Sequence, residues 1–393
     1  MDRVTHNEVV SQDAVSSQPH CLPTSEGCMR CQSVPMAPCS TGASLLLGPQ
    51  NADVKATLLQ ALDEVLKQVE LSYFSIGPLM VIPNIQDRLG TITALLGQHL
   101  TPFSQLSIRA VYTPMAIRTQ EEGLHALLYA ESLETVINSS KHEWVREALA
   151  KEWLFSVFHP IVDARSGTVF AHEALVRARD PQQDQVMGAG QIIEACEALN
   201  LQHQLDQQAR RVAIRGAARW VDSRSTIFIN FMPNTIYDPA ICLRTTMEAA
   251  EEYRISPSRL VFEVVESEKI PNMNRLCNIL NYYRERGIQT AVDDMGAGFT
   301  CKEYLTTLRP NYVKLDRQLI VEAEHDARQR QKLATIVQTA HELGIRTVAE
   351  GIETTAQLEM CLQEQLDYLQ GYLFAHPAVP PQSVTFSMLD SAA

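Results

Sequence analysis

The sequence predicts an α/β protein: a parallel (β/α)8 barrel in its carboxyl-terminal part, preceded by a small α/β domain and a cysteine-rich tail. Three observations carry this expectation. From Phe155 onward, short apolar β-branched segments alternate with helical ones about eight times, the pattern that closes a parallel barrel. Six of those segments end in or lead to a carboxylate, an amide or a lysine, and in such a barrel the carboxyl ends of the strands converge on one face. Before Phe155 the order of extended and helical stretches is that of a separate two-layer unit, and residues 1–43 carry no periodicity.

The elements follow in order. Residues 1–43, rich in Ser, Pro, Gln and Cys, read as a tail. A small domain over 44–150 begins with the apolar run Ala43–Leu47 and a helix carrying Val54, Leu58, Leu62, Val65 and Val69 on one face. An extended segment over Tyr73–Ile82, a helix over Ile85–Leu100 and a strand over Leu106–Tyr112 come next. Helical stretches Glu121–Ile137 and Glu143–Leu154, the latter with Trp144 and Trp153, connect to the barrel, which takes 151–385. There the helix Ala327–Leu343 closes at Gly344.

Composition narrows the function. Hydrophobic content of 45% with 20% charged residues is that of an ordinary folded protein with a large core. With 33 Lys and Arg against 46 Asp and Glu, the net charge of −13 disfavours nucleic-acid polymers and anionic membranes, so an anionic substrate needs a cation as a bridge. No apolar stretch approaches the roughly 18–20 residues that span a bilayer, and the amino terminus opens no apolar secretory core, so a cytoplasmic protein without membrane insertion is expected. Of nine cysteines, Cys196, Cys242, Cys277, Cys301 and Cys361 are scattered singly, as reduced core residues are.

The strand-end residues define a chemistry. Glu173, Asn230, Glu263, Asp293 and Asp294 offer only hard oxygen ligands, the set that suits Mg²⁺ or Mn²⁺ rather than zinc or copper. Adjacent Asp293 and Asp294 can bridge two ions, and two ions a few ångströms apart activate a water while stabilising the leaving oxygen of a phosphodiester. Gly296 and Gly298 follow at once, a loop able to approach a ligand closely. Lys314 is suited to positioning a water or neutralising developing charge, and Glu350 to acting as general base or further ligand. Glu353 would support that pair, and Gln370 would donate near the site. Arg177 and Arg179 either contact substrate phosphate or pair with surface acids. Taken singly, each acid also reads as a helix cap or a rim charge, and Lys314 with Asp316 as a rim ion pair. Six strand ends carrying this set together are hard to obtain from caps alone.

These motifs carry a resemblance. Glu173-Ala174-Leu175-Val176-Arg177 resembles the signature of the EAL family, phosphodiesterases that open the messenger cyclic di-GMP, and the similarity covers about 155–380. In order follow Asn230-Phe-Met-Pro233, Glu263-Val-Val-Glu266, Asp293-Asp294 with its glycines, Lys314-Leu-Asp316, Glu350-Gly-Ile-Glu353 and Gln370-Gly-Tyr372. The resemblance implies a TIM-type barrel with one strand reversed, two Mg²⁺ or Mn²⁺ ions, and hydrolysis of cyclic di-GMP to linear pGpG. It implies that Glu173, Asn230, Glu263 and Asp293 hold one ion and that Asp293 and Asp294 share in the second. Lys314 and Glu350 would serve the attacking water. Glu266 would anchor the loop after Asp294, through which members of the family often form homodimers.

The chain departs from the family pattern at Met295 and Phe299-Thr300-Cys301, at His159 in place of a usual Gln, and at Met232 in place of a usual Ser. None of these is a metal ligand, which favours an active enzyme over a silent cyclic di-GMP receptor signalling to a protein partner; a metal-dependent enzyme of carbon acids is the third reading, which the identity of the product separates. Nothing in 40–150 resembles the cyclase domain often paired with this family. The spacing of Cys21, Cys28, Cys31 and Cys39, with His20, suits zinc, an iron–sulfur centre or a redox switch, the other reading being a tail with incidental cysteines. The first 150 residues are expected to be sensory or regulatory.

Overall fold

The computed structural model describes residues 42–85, 88–181, 184–265, 273–296 and 301–384. The four tail cysteines, Glu266, Phe299 and Thr300 lie outside these residues.

Two sheets organise the chain. The first has five antiparallel strands in the order β2-β3-β1-β4-β5, from β1 (Ser44–Pro49), β2 (Phe74–Ile76), β3 (Leu79–Pro83), β4 (Ile108–Thr113) and β5 (Glu131–Ser132). Between them run α1 (Ala52–Gln68), α2 (Leu89–His99), α3 (Pro102–Leu106), α4 (Gln120–Leu127) and α5 (Leu133–Lys141). The first four strands with α1 and α2 form a split β-α-β arrangement. The run Leu45-Leu46-Leu47 is wholly buried because both faces are covered. Leu45 and Leu47 meet Leu58, Leu62, Ile92, Leu96, Leu133 and Ile137 from three helices, while Leu46 meets Leu79, Val81 and Ile117. Two boundaries differ from the sequence reading. Tyr73–Ile82 is a hairpin, turned at Gly77 with φ +59, and the expected helix Glu121–Ile137 is broken between α4 and α5 by β5, whose Ser132 caps α5.

Helix α6 (Trp144–Ala150) packs its Val145, Ala148 and Leu149 into a cluster with Leu154, Met187, Ile192 and Leu205 of the second unit. That unit is an eight-stranded closed barrel. It begins with an antiparallel pair, β6 (Leu154–Asp163) and β7 (Val169–Asp180), rather than the expected strand–helix unit. The parallel strands β9 (Thr226–Asn230), β10 (Leu260–Val265), β11 (Gln289–Met295), β12 (Tyr312–Leu315), β13 (Arg346–Ala349) and β14 (Tyr368–Leu369) continue from β7, and β14 closes on β6 antiparallel. One strand of eight is thus reversed. A short β8 (Gln185–Met187) adds to the free part of β7. Helices α7 (Ala189–Ala198), α8 (Gln202–Trp220), α9 (Pro239–Glu252), α10 (Met273–Arg284), α11 (Cys301–Leu308), α12 (Arg317–His325), α13 (Ala327–Glu342) and α14 (Thr355–Gln363) surround it. Cys196, Cys242 and Cys361 are buried free thiols, and Cys277 is partly buried. Among the described residues, no helix is long and apolar enough to cross a membrane.

Candidate active site

The barrel interior is layered, and the layers explain the sequence pattern. Ile161, Ala171, Phe228, Val261, Ala291, Tyr312, Val348 and Tyr368, one from each strand, form a single buried apolar cluster. Side chains alternate across a strand with period two, so the next inward residue toward the mouth lies two positions on. Those residues are Glu173, Asn230, Glu263, Asp293, Lys314, Glu350 and Gln370, and on the reversed β6, two positions earlier, His159. Each sits directly above a member of the apolar layer. Asp294 is the exception to the alternation. It has φ +56, and the β11–β12 register shifts between Val292 and Met295. This irregularity lets two consecutive carboxylates reach one place.

Lys314 is the hub. Its Nζ, with the side chain 1% exposed, lies 3.1 Å from Asp293 Oδ1, 3.2 Å from Glu263 Oε1, 2.6 Å from Glu350 Oε1 and 3.6 Å from Glu173 Oε1. The reading of Lys314 and Asp316 as a rim ion pair does not hold, because Asp316 instead caps α12 by accepting from the Gln318 N–H at 2.8 Å. Asn230 Nδ2 donates to Glu173 Oε1 at 3.0 Å and Gln370 Nε2 to Glu173 Oε2 at 2.8 Å. Gln370 Nε2 also lies 2.9 Å from His159 Nδ1, which makes His159 a member of the ring. The sequence marks it only as a departure from the family pattern.

The electrostatics follow from burial and crowding. Burial pushes the Lys314 amine down, but Asp293, Glu173, Glu263 and Glu350 together hold its pKa well above the usual lysine value. Burial, reinforced by neighbouring carboxylates, lifts Glu263 and Glu350 well above the carboxylate range. Glu173 goes the other way: burial opposes its charge, yet Lys314 and the bonds from Gln370 and Asn230 hold it below the ordinary value. Burial, Asp293 and Asp316 push Asp294 up to about 6. Two acidic groups emerge that share Asp293: Glu173, Glu263 and Asp293, and Asp293, Asp294 and Glu350, each with carboxylate oxygens within 4.8 Å of one another. Of the fully buried Glu263, Oε1 meets only the Lys314 ammonium, and Oε2 has no hydrogen-bond partner among the described residues. An all-oxygen donor set with a buried carboxylate oxygen left without a partner fits a hard divalent cation.

The remaining expected residues stand outside this ring. Arg177 lies four residues beyond Glu173 on the same strand face, half-buried, its Nη1 donating to the Val176 carbonyl at 2.8 Å. Glu353 pairs with Arg317 at 2.9 Å, near the start of α12. Close packing behind the ring depends on Gly371, where a Cβ would stand 2.1 Å from the Ile352 carbonyl oxygen. Asp206 and Arg210 of α8, a buried ion pair at 2.9 Å, had drawn no attention in the sequence, since charges spaced i, i+4 on a helix usually mark a solvated face.

A reversed-strand barrel with this acidic mouth defines a class, and comparison with known proteins places the chain within it. The EAL domain family matches residues 142–377, and the chain belongs to that family. It is 29% identical over 238 residues to the cyclic di-GMP phosphodiesterase NbdA of Pseudomonas aeruginosa, a match taking in 60% of this chain and 30% of that protein. The chain therefore spans less than half the length of this curated relative. Among solved structures, a standalone EAL protein of Vibrio cholerae in its c-di-GMP-bound form is 32% identical, with TM-score 0.52, covering 59% of this chain and 95% of that one. The PaMucR phosphodiesterase–c-di-GMP complex is 29% identical, with TM-score 0.54, covering 60% and 95%.

Proposed function

We propose that the chain hydrolyses one phosphodiester bond of cyclic di-GMP to give linear pGpG, using two divalent cations, Mg²⁺ or Mn²⁺, at the barrel mouth. The observation that carries the reading is the pair of acidic groups sharing Asp293 around Lys314. Glu173, Asn230, Glu263 and Asp293 would hold one ion, and Asp293, Asp294 and Glu350 the other. Five carboxylates against one ammonium leave a formal charge of −4, which two divalent ions bring to zero. When bound, such ions lower the pKa of a coordinated water and neutralise charge on the phosphate.

The chain's own residues do the rest. Lys314 Nζ, 2.6 Å from Glu350, holds that carboxylate toward the ring, where it can accept the proton of an attacking water. Gln370 and Asn230 fix the orientation of Glu173 from its two oxygens. Arg177, on the face of β7 that carries Glu173, would meet the substrate phosphate. The first 150 residues would regulate this site.

A receptor that binds without cleaving is the alternative, and the complete acidic set argues against it. Incubation of the full chain with cyclic di-GMP in Mg²⁺, Mn²⁺ or EDTA, followed by nucleotide chromatography, decides. Appearance of pGpG only with metal is expected; intact substrate in every tube overturns the reading.

A further inference from the structure

Asn230 is the one proposed ligand whose side chain is exposed, and its side chain makes a hydrogen bond to Glu173. Its placement rests on that bond and on its backbone, which sits at the last residue of β9, paired with Glu263. What holds the chain just beyond it is unusual. The Met232 N–H donates to Asp206 Oδ1 at 2.9 Å, and the Met232 carbonyl accepts from Thr235 Oγ1 at 2.7 Å. Asp206 is 4% exposed, and its other oxygen lies 2.9 Å from Arg210 Nη1. Arg210, 1% exposed, donates from Nη2 to the Cys242 carbonyl on α9 at 3.2 Å. Beside the pair is a cavity of about 10 Å³, room for about one water.

A buried ion pair of this kind often stabilises a fold no better than apolar side chains of the same volume. Its distinctive product is a charged acceptor, fixed by two helices and aimed at a backbone N–H two residues past a site residue. Building on the proposed function, we infer that Asp206, held by Arg210, is a positioning residue that sets the height of Asn230 against Glu173 and so the affinity of the first metal ion.

Two charge-free double variants isolate the hydrogen bond. Asp206→Leu with Arg210→Met removes both the charges and the acceptor, whereas Asp206→Asn with Arg210→Met removes the charges and keeps an acceptor for Met232. Mn²⁺ binding by calorimetry, kcat and KM for cyclic di-GMP, and hydrogen exchange across 230–235 would be measured on the full chain. The Leu/Met variant is expected to stay folded, lose at least tenfold in Mn²⁺ affinity and in kcat, and lose exchange protection in that segment. The Asn/Met variant is expected to recover all three to within about threefold. Parental behaviour in both variants, or equal loss in both, overturns the inference. A parental chain that binds no Mn²⁺ overturns instead the proposed function, and exchange protection then still separates the two variants.

Discussion

Replacing Lys314 by Met removes the only cation that the described residues place in the ring of buried carboxylates. Each contact at 3.1–3.2 Å is an attraction of about 5 kcal/mol at an effective dielectric constant of about 20. Desolvation of the amine and proton uptake by Glu263 and Glu350, both already raised, offset most of that sum. Breaking a buried pair by deleting one partner leaves a net loss of about 3–5 kcal/mol. For a domain the size of the matched 142–377 segment, this corresponds to a fall in Tm of roughly 6–20 °C. Calorimetric melting of Lys314→Met in EDTA should show that fall. Saturating Mn²⁺ should narrow the gap to the parent, because the ions replace the lost positive charge. Hydrolysis should fall by about 100-fold or more even in metal, the scale for losing a preorganised electrostatic group. An unchanged Tm in EDTA, or a gap that Mn²⁺ leaves untouched, refutes this account of the ring.

Three further outcomes are expected. Glu173→Ala should abolish hydrolysis while preserving the far-ultraviolet circular dichroism; retained turnover contradicts its assignment as a ligand. Gly371→Ala should destabilise the barrel by about 3 kcal/mol or more, because the added Cβ meets backbone rather than a side chain that can move, and urea unfolding reads this directly. Burial holds the His172 pKa down at about 4, against 6.5 in the unfolded chain. The unfolded state therefore takes up a proton first, so stability is full above pH 6.5 and falls by about 3 kcal/mol as pH drops to 4. His172→Gln should flatten that part of the urea-unfolding profile, and an identical slope in both proteins shows that His172 does not contribute.

Much of the site was legible because a barrel strand encodes its interior with period two. Phe228 and Asn230, Val261 and Glu263, Tyr312 and Lys314, and Val348 and Glu350 are all apolar-then-polar pairs along the inner face. The reversed strand was not legible from periodicity, since β6 and β7 both read as apolar extended runs and direction leaves no mark in the alternation. It came only with the family resemblance. The sheet of the first unit was partly misread for a local reason: Gly77-Pro78 turns an apparently continuous strand into a hairpin. Asp206 and Arg210 were invisible because helical spacing does not distinguish a solvated pair from one buried between α8 and α9.

The most direct test of the two-ion site is an anomalous difference map from crystals of the full chain grown with Mn²⁺. Two peaks about 3.5–4 Å apart are predicted, one among Glu173, Asn230, Glu263 and Asp293 and the other against Asp293, Asp294 and Glu350. A barrel mouth without peaks, with Lys314 still paired to all four carboxylates, contradicts the account.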